Sequence, residues 1–235
     1  MRNHIELSPR LRMVADLVPR GCRLADVGTD HAYLPAALIL EGKIPGAIAA
    51  DLRQGPLERA RTTVRDCSLT GKVIFRLCDG LKGIRPDEAD AVAIAGMGGE
   101  TIAAILAAAP WTREQNVPLV LQPMSSMSDL RVWLEENGYR IVAEKLAQEG
   151  DTLYTALSVR AGEMDKLTPA ELCAGKNSPA PLRGAWLDRW LQKTERALTG
   201  LAQSRQEGTA QRREELEQVR AGLLDMKKEW EAWQR

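Results

Sequence analysis

No CxxC pair occurs in this sequence, and its only histidines are His4 and His31. The cysteines Cys22, Cys67, Cys78 and Cys173 stand far apart. That inventory excludes the common zinc spacings and offers no disulfide framework, so no metal is expected. An excess of either charge is also missing, because Lys plus Arg number 32 and Asp plus Glu number 32. The molecule as a whole therefore exerts no general attraction on phosphate, and any nucleic-acid site has to be a local patch. The opening residues Met1 to Glu6 lack the apolar core of a signal peptide. Ala89 to Trp111 is rich in alanine and isoleucine, but glycines and Glu100 break it into a strand, a turn and a helix. It makes a poor membrane span. A cytoplasmic location with no membrane partner is the expectation.

What is present is ordinary for a globular chain: 235 residues, of which 44% are hydrophobic and 27% charged. This is enough for one full domain and an appendage. Short apolar runs recur, each followed by a longer stretch of helical spacing. Strands are expected at Arg23–Val27, Ala47–Ala50, Val73–Leu77, Ala91–Ala95 and Leu119–Gln122, with helices at Tyr33–Glu41, Pro56–Asp66, Thr101–Ala108 and Ser128–Asn137. That alternation implies an α/β fold with a parallel sheet and crossover helices. Arg140–Leu146 and Thr152–Val159 then read as an antiparallel hairpin closing one edge, joined at Gln148–Asp151.

The main domain is accordingly expected over residues 1–160 and a linker over 161–181, with one short helix near Pro169–Cys173. Residues 182–235 follow as a small helical domain. Leu187, Leu191, Thr194, Leu198 and Leu201 step by fours and threes, and Leu216, Val219, Leu223, Met226, Trp230 and Trp233 continue the rhythm. Gly208 separates the two runs with Thr209 as the next N-cap, giving an antiparallel coiled-coil hairpin. Trp230 and Trp233 are assigned to its apolar seam and not to base stacking.

The chemistry concentrates at strand ends. Asp26-Val-Gly-Thr-Asp-His-Ala32 is an acid followed by a glycine turn into a helix, at the position where doubly wound sheets bind ligands. It departs from G-x-G-x-x-G because Asp30 and Ala32 stand where glycines belong. Asp30 would repel a pyrophosphate from the helix start. Asp26 and Asp30 suit the cationic end of adenosylmethionine instead; the plainer alternative is that Asp30 only N-caps the helix. Asp51 closes the second strand about 25 residues beyond Asp26, where an acid commonly takes ribose hydroxyls. Asp79, followed by Gly80, ends the third and can read an adenine edge. After the fourth comes Ala95-Gly-Met-Gly-Gly-Glu100, whose glycines Gly96, Gly98 and Gly99 allow close approach of ligand to backbone.

These blocks together resemble one family. Leu7-Ser-Pro-Arg-Leu11, Ala25–Pro35, Gly55-Pro56, Asp79-Gly-Leu81, Ala95–Gly99 and Leu121-Gln-Pro123 are similar to the bacterial tRNA (adenine-22-N1)-methyltransferases. The resemblance implies a Rossmann-like class I methyltransferase sheet with a C-terminal coiled-coil hairpin. It also implies S-adenosyl-L-methionine as cofactor and tRNA as partner, with methyl transfer to adenine N1. Carried over, it puts Asp26, Gly28, Asp30, His31, Asp51, Leu52, Asp79, Gly80, Gly96, Met97 and Gly98 around the cofactor. Arg10, Tyr33, Gly99, Gln122 and Pro123 fall beside the substrate. Family members often have asparagine after the Gln-Pro pair, where this chain has Met124.

No catalytic residue is singled out. His31 could act as an acid or base, since histidine ordinarily titrates near neutrality, or could simply fix the loop. Tyr33 could stack on a base or belong to the core. Arg10 and Arg12, with Arg53, Arg59, Arg61 and Arg65, are candidate phosphate contacts if they share an exposed face. The alternative function is methylation of a small molecule or protein, with the helical tail used for dimerisation. A non-catalytic RNA-binding protein and a nicotinamide dehydrogenase rank lower. The sequence does not decide between monomer and homodimer.

Overall fold

The computed structural model describes residues 3–202 and 208–235. The chain divides into two compact units, Met1–Met164 and Asp165–Arg235.

The first unit runs α1 (Pro9–Leu17), β1 (Arg23–Val27), α2 (Tyr33–Leu40), β2 (Gly46–Asp51), α3 (Gln54–Asp66), β3 (Val73–Leu77), β4 (Ala91–Gly98) and α4 (Gly99–Ala107). It continues with α5 (Trp111–Glu114), β5 (Leu119–Ser125), α6 (Met127–Glu136), β6 (Tyr139–Glu149) and β7 (Thr152–Ala161). One seven-stranded sheet results, in the order β3-β2-β1-β4-β5-β7-β6. The pairs among β1 to β5 are parallel, and β7 is antiparallel to both β5 and β6. The closing hairpin thus inserts its second strand next to the parallel core. Its strands run further than their apolar cores indicated, because β6 continues through the polar Gln148 and Glu149, which read as turn residues.

Both faces of the central strands are covered, which is why those strands read as continuous apolar runs. Leu24, Ala47, Ala49, Ala91 and Ala93 pack under α1, α2 and α3. Their alternates Ala25, Ile48, Val92, Ile94 and Leu119 pack under α4 and α6. The strand order reverses between β1 and β4, so the loops leaving their carboxyl ends diverge and open a crevice.

Helix α1 was not anticipated. Its signature is nevertheless local: Ser8 caps the helix by accepting from the Leu11 amide, and Pro9 occupies the first turn. The four-residue α5 was missed as well. β4 extends through Gly98, three residues past its expected end, and α4 begins at once with Gly99.

In the second unit, α7 (Pro169–Ala174), α8 (Arg183–Ala202) and α9 (Thr209–Trp233) occur. The capping box of α7 is reciprocal: Thr168 accepts from the Glu171 amide while Glu171 accepts from the Thr168 amide. Lys227, late in α9, donates to Asp188, early in α8, so the two helices run antiparallel. Leu187, Thr194, Val219 and Leu223 form the buried seam. Gly208, not Thr209, is the N-cap of α9, since it takes a left-handed conformation (φ 83°) that suits glycine.

The tryptophans here are largely structural. Trp186 is buried and donates to the Ala174 carbonyl, while Trp230 lies over Gly184 and donates to the Ala180 carbonyl. Trp233, expected in the seam, is instead 44% exposed near the end of α9. The buried Arg183 donates to the carbonyls of Ala174 and Gly175, tying α8 to the end of α7. Among the described residues, no helix is long and apolar enough to cross a membrane.

Candidate active site

Two adjoining clefts open at the carboxyl ends of the parallel strands. The larger, of about 550 Å³, is walled by the ends of β1, β2 and β4, the loop after β3, and one side of α4. Asp51, Leu52, Asp79, Gly80 and Met97 line it. The smaller, of about 360 Å³, lies toward α1 and α2 and is lined by Arg10, Asp26, His31 and Tyr33 among others. Gly28, Asp30, Ala95 and Gly96 belong to both. The two are therefore lobes of one site.

Gly28 turns the chain out of β1 with φ 78°, and a Cβ there would collide with the tip of Met97. Its amide and that of Thr29 both donate to the Ala50 carbonyl, which pins the loop to β2. Asp26 is 5% exposed, and Thr29 Oγ1 donates to it at 2.5 Å. Burial raises its pKa to about 6, the Thr29 hydrogen bond opposes the shift, and the Asp51 charge adds to it. No cation pairs with Asp26 among the described residues. Asp51, 9% exposed, accepts from the Arg53 amide through Oδ1 and has its other oxygen without a protein partner among the described residues. Burial also pushes the Cys78 thiol up, which leaves it protonated beside the cleft.

Asp30 differs from one of its expected roles. It does not cap α2, whose N-cap is Ala32 with no side-chain bond. Its Oδ1 is ion-paired with Arg59 of α3, while Oδ2 lies 3.7 Å from His31 Nε2 at the edge of both clefts. The pairing joins residues on separate elements and has no local signature. Asp79 is likewise paired, with Lys82 at 2.6 Å.

The His31 and Tyr33 rings stack with centroids 5.0 Å apart and planes 9° apart, and Tyr33 is 37% exposed. Gln122 is fully buried. Its Oε1 accepts from Arg10 at 2.8 Å and from the Gly96 amide at 3.1 Å, so one side chain fixes both α1 and the glycine loop.

The chain matches the family described as "Methyltransferase domain" over residues 7–157. The tRNA (adenine(22)-N(1))-methyltransferase of Bacillus subtilis (strain 168) is 33% identical over 233 residues, 97% of this chain and 98% of that one. The chain belongs to the tRNA (adenine(22)-N(1))-methyltransferase family.

Solved structures agree end to end. The Bacillus subtilis M1A22 tRNA methyltransferase matches with a TM-score of 0.81 and 32% identity, covering 95% of this chain and 100% of that chain. A putative tRNA (m1A22) methyltransferase of Streptococcus pneumoniae, crystallised with S-adenosyl-L-methionine, matches with a TM-score of 0.81 and 33% identity, covering 94% and 100%. The sheet is thus the Rossmann-like methyltransferase sheet, and the C-terminal helices belong to the family architecture.

Within this family frame, most residues singled out from sequence line the two lobes, but four do not. Gln122 and Pro123 lie in β5, where Gln122 acts through Arg10 and Gly96. Gly98 and Gly99 sit at an irregularity in the β4–β5 pairing, where Gly98 faces Ser125 and Gly99 faces Ser126 and Leu130. Both glycines are close-packed against β5 and the start of α6. A Cβ at Gly99 would overlap the backbone carbonyl of Ser126. Gly99→Ala is therefore expected to cost about 2 kcal/mol, as overpacking against an unyielding neighbour typically does. A thermal melt checks it, and an unchanged midpoint would contradict it.

Sequence reasoning missed Thr29 and Lys82 at the clefts. Thr29 follows Gly28 and Lys82 follows Asp79 by one helical turn, so both were within reach of local spacing. The candidate phosphate-binding arginines are mostly engaged: Arg12 with Glu41, Arg59 with Asp30, and Arg61 over the Phe75 ring at 4.4 Å.

Proposed function

We propose that this protein transfers the methyl group of S-adenosyl-L-methionine to N1 of the adenine at position 22 of tRNA, acting in the cytoplasm. The observation that carries the reading is likeness over 97% of the chain to a tRNA (adenine(22)-N(1))-methyltransferase, helical unit included. The clefts fit the donor on independent grounds. Asp26 is a buried anion without a counter-cation among the described residues, suited to the donor's cationic amino-acid end. Asp51 has an open oxygen for ribose hydroxyls, and the Asp79–Gly80 turn faces the space for the purine.

When bound, the donor supplies a sulfonium methyl that is already strongly electrophilic. Adenine N1 offers an in-plane lone pair, so no strong base is required of the protein. Its work is to align the two partners and exclude water, which supports large rate gains by itself. The Gly96–Met97 loop forms the floor between the lobes. The stacked His31–Tyr33 pair presents an aromatic face for a base turned out of its stack. The helical unit would hold the tRNA by shape and by scattered basic contacts.

The test is to incubate the protein with unmodified tRNA transcripts and adenosylmethionine and map the modified nucleoside by mass spectrometry. 1-Methyladenosine at position 22, lost when a transcript carries guanine there, is the expected result. A methylated guanosine, or equal methylation of both transcripts, would refute it.

A further inference from the structure

Three arginines gather at the antiparallel edge of the sheet, at the end away from the clefts. Arg113 of α5 donates Nη1 to the Asn137 carbonyl at 3.2 Å, and its Cδ lies 3.5 Å from where a Cβ on Gly138 would stand. The Gly138 carbonyl accepts from the Gly162 amide, and the Arg140 side chain lies against Gly162. Arg140 of β6 stands directly opposite Arg160 of β7. Arg160 donates Nη1 to the Asn116 carbonyl at 3.1 Å, and the Asn116 amide donates to the Arg113 carbonyl. These contacts close a ring of three guanidinium groups.

Like charges directly opposite each other on antiparallel strands are destabilising. A carboxylate beside them would remove that cost. Glu114, Glu136 and Glu163 are close by in sequence and exposed, yet no acid is ion-paired with Arg113, Arg140 or Arg160 among the described residues. Arg140 has no hydrogen-bond acceptor among them, and Arg113 and Arg160 each use one nitrogen. Two nitrogens of each remain open to the forked contact that a guanidinium makes with phosphate oxygens. Because the chain carries no net charge, an unneutralised basic ring of this kind is the local patch that binding a polyanion requires.

The position of the ring suits a large anion that also reaches the clefts. The Leu119–Val159 pairing sets it level with the start of β5, while Gln122, paired with Ala95, lies level with the clefts. At ~3.3 Å per residue the separation is roughly 15 Å, a length of four or five base steps in a duplex. Resting on the reading above, we propose that Arg113, Arg140 and Arg160 form a second contact surface for the tRNA, which grips its sugar-phosphate backbone at a distance from the target nucleotide.

The test is the salt dependence of binding of an unmodified tRNA transcript, followed by fluorescence anisotropy between about 50 and 200 mM salt. Replacing all three arginines by glutamine should weaken binding about 10–30-fold, roughly threefold for each exposed contact. The slope of log affinity against log salt should flatten by about 2–3. Arg140→Gln alone removes no protein hydrogen bond and should flatten the slope by about 1. Lysine at all three positions keeps the charge and should keep the slope. Donor affinity by calorimetry and the melting midpoint of Arg140→Gln should not fall, which separates a lost RNA contact from a damaged fold.

Parental tRNA affinity and slope in the triple glutamine variant would overturn the proposal. Weaker binding with an unchanged slope would overturn it too, since a phosphate contact must release counterions. Retained tRNA binding with lost adsorption to anionic phospholipid vesicles would overturn it in favour of a membrane surface. Failure of the intact protein to bind tRNA at all would instead bring down the functional reading on which the proposal rests.

Discussion

Asp26→Asn is expected to cripple donor binding while making the donor-free protein more stable at pH 8. The two effects share one cause. Asp26 is buried, and its pKa stands at about 6 against an ordinary 3.8, so the fold holds the charged form at a cost of about 3 kcal/mol. The sign follows from linkage. A carboxyl with a raised folded pKa destabilises the fold above that pKa, and the penalty is relieved as pH falls through 6 toward 4. Asparagine retains an oxygen for the Thr29 hydroxyl and carries no charge. It has its own amide to bury, so a gain of about half the penalty is expected, roughly 3–6 °C in the melting midpoint at pH 8.

Donor affinity should move the other way, falling about 10–100-fold with the loss of a charge-assisted partner. In the intact protein, affinity should rise between pH 5 and pH 7 as Asp26 ionises, with proton release near pH 6 visible by calorimetry in two buffers of different ionisation enthalpy. Asp26→Asn retains every other titratable group in the cleft, so a flatter profile in the variant isolates Asp26. Unchanged affinity together with an unchanged melt would show that Asp26 neither binds nor strains.

Glu144→Ala should markedly destabilise the first unit. Arg131 of α6 is fully buried, and its Nη2 meets Glu144 of β6 at 2.8 Å. Removing the carboxylate takes the opposite charge away from a guanidinium that stays buried, which costs about 3 kcal/mol when one partner of a buried pair is lost. A fall of roughly 6–12 °C in the melting midpoint is expected, and the urea midpoint should drop in step. Arg131→Met combined with Glu144→Leu should recover most of the loss, because apolar replacement removes the desolvation penalty with the pair. A single variant melting within 1 °C of the parent, roughly 0.5 kcal/mol, would show that the pair is solvated. The consequence for function is local, since α6 begins immediately after Ser125 and Ser126, the residues packed against Gly98 and Gly99.

The residues just discussed were not equally legible. Asp26, Asp51 and Asp79 could be picked out because each ends an apolar run or follows one directly, and period alone locates those runs. The same reading set β4 too short, because a glycine-rich run carries almost no periodic signal and both a turn and a strand accommodate it. Helix α1 carries a local start signal in Ser8 and Pro9, but its nine residues are too short a run for Leu11, Met13, Val14, Ala15 and Leu17 to declare a helical period. Gln122 was expected at the substrate, whereas it is wholly buried and acts through other residues.

By itself, the sequence determined the alternation of strands and helices, the acids placed at strand ends, the glycine turn at Gly28 and the two-helix C-terminal unit. Each rests on spacing within a few residues, where backbone geometry fixes which side chains share a face. Tertiary structure alone decided the charges. It paired Asp30 with Arg59, left Asp26 buried with no cation beside it among the described residues, and brought Arg10 to Gln122 across 112 positions. Such pairings depend on strand order and helix placement, which no local pattern encodes. Gly28 therefore marked where a ligand would lie, and only the fold showed which charges remained free to meet it.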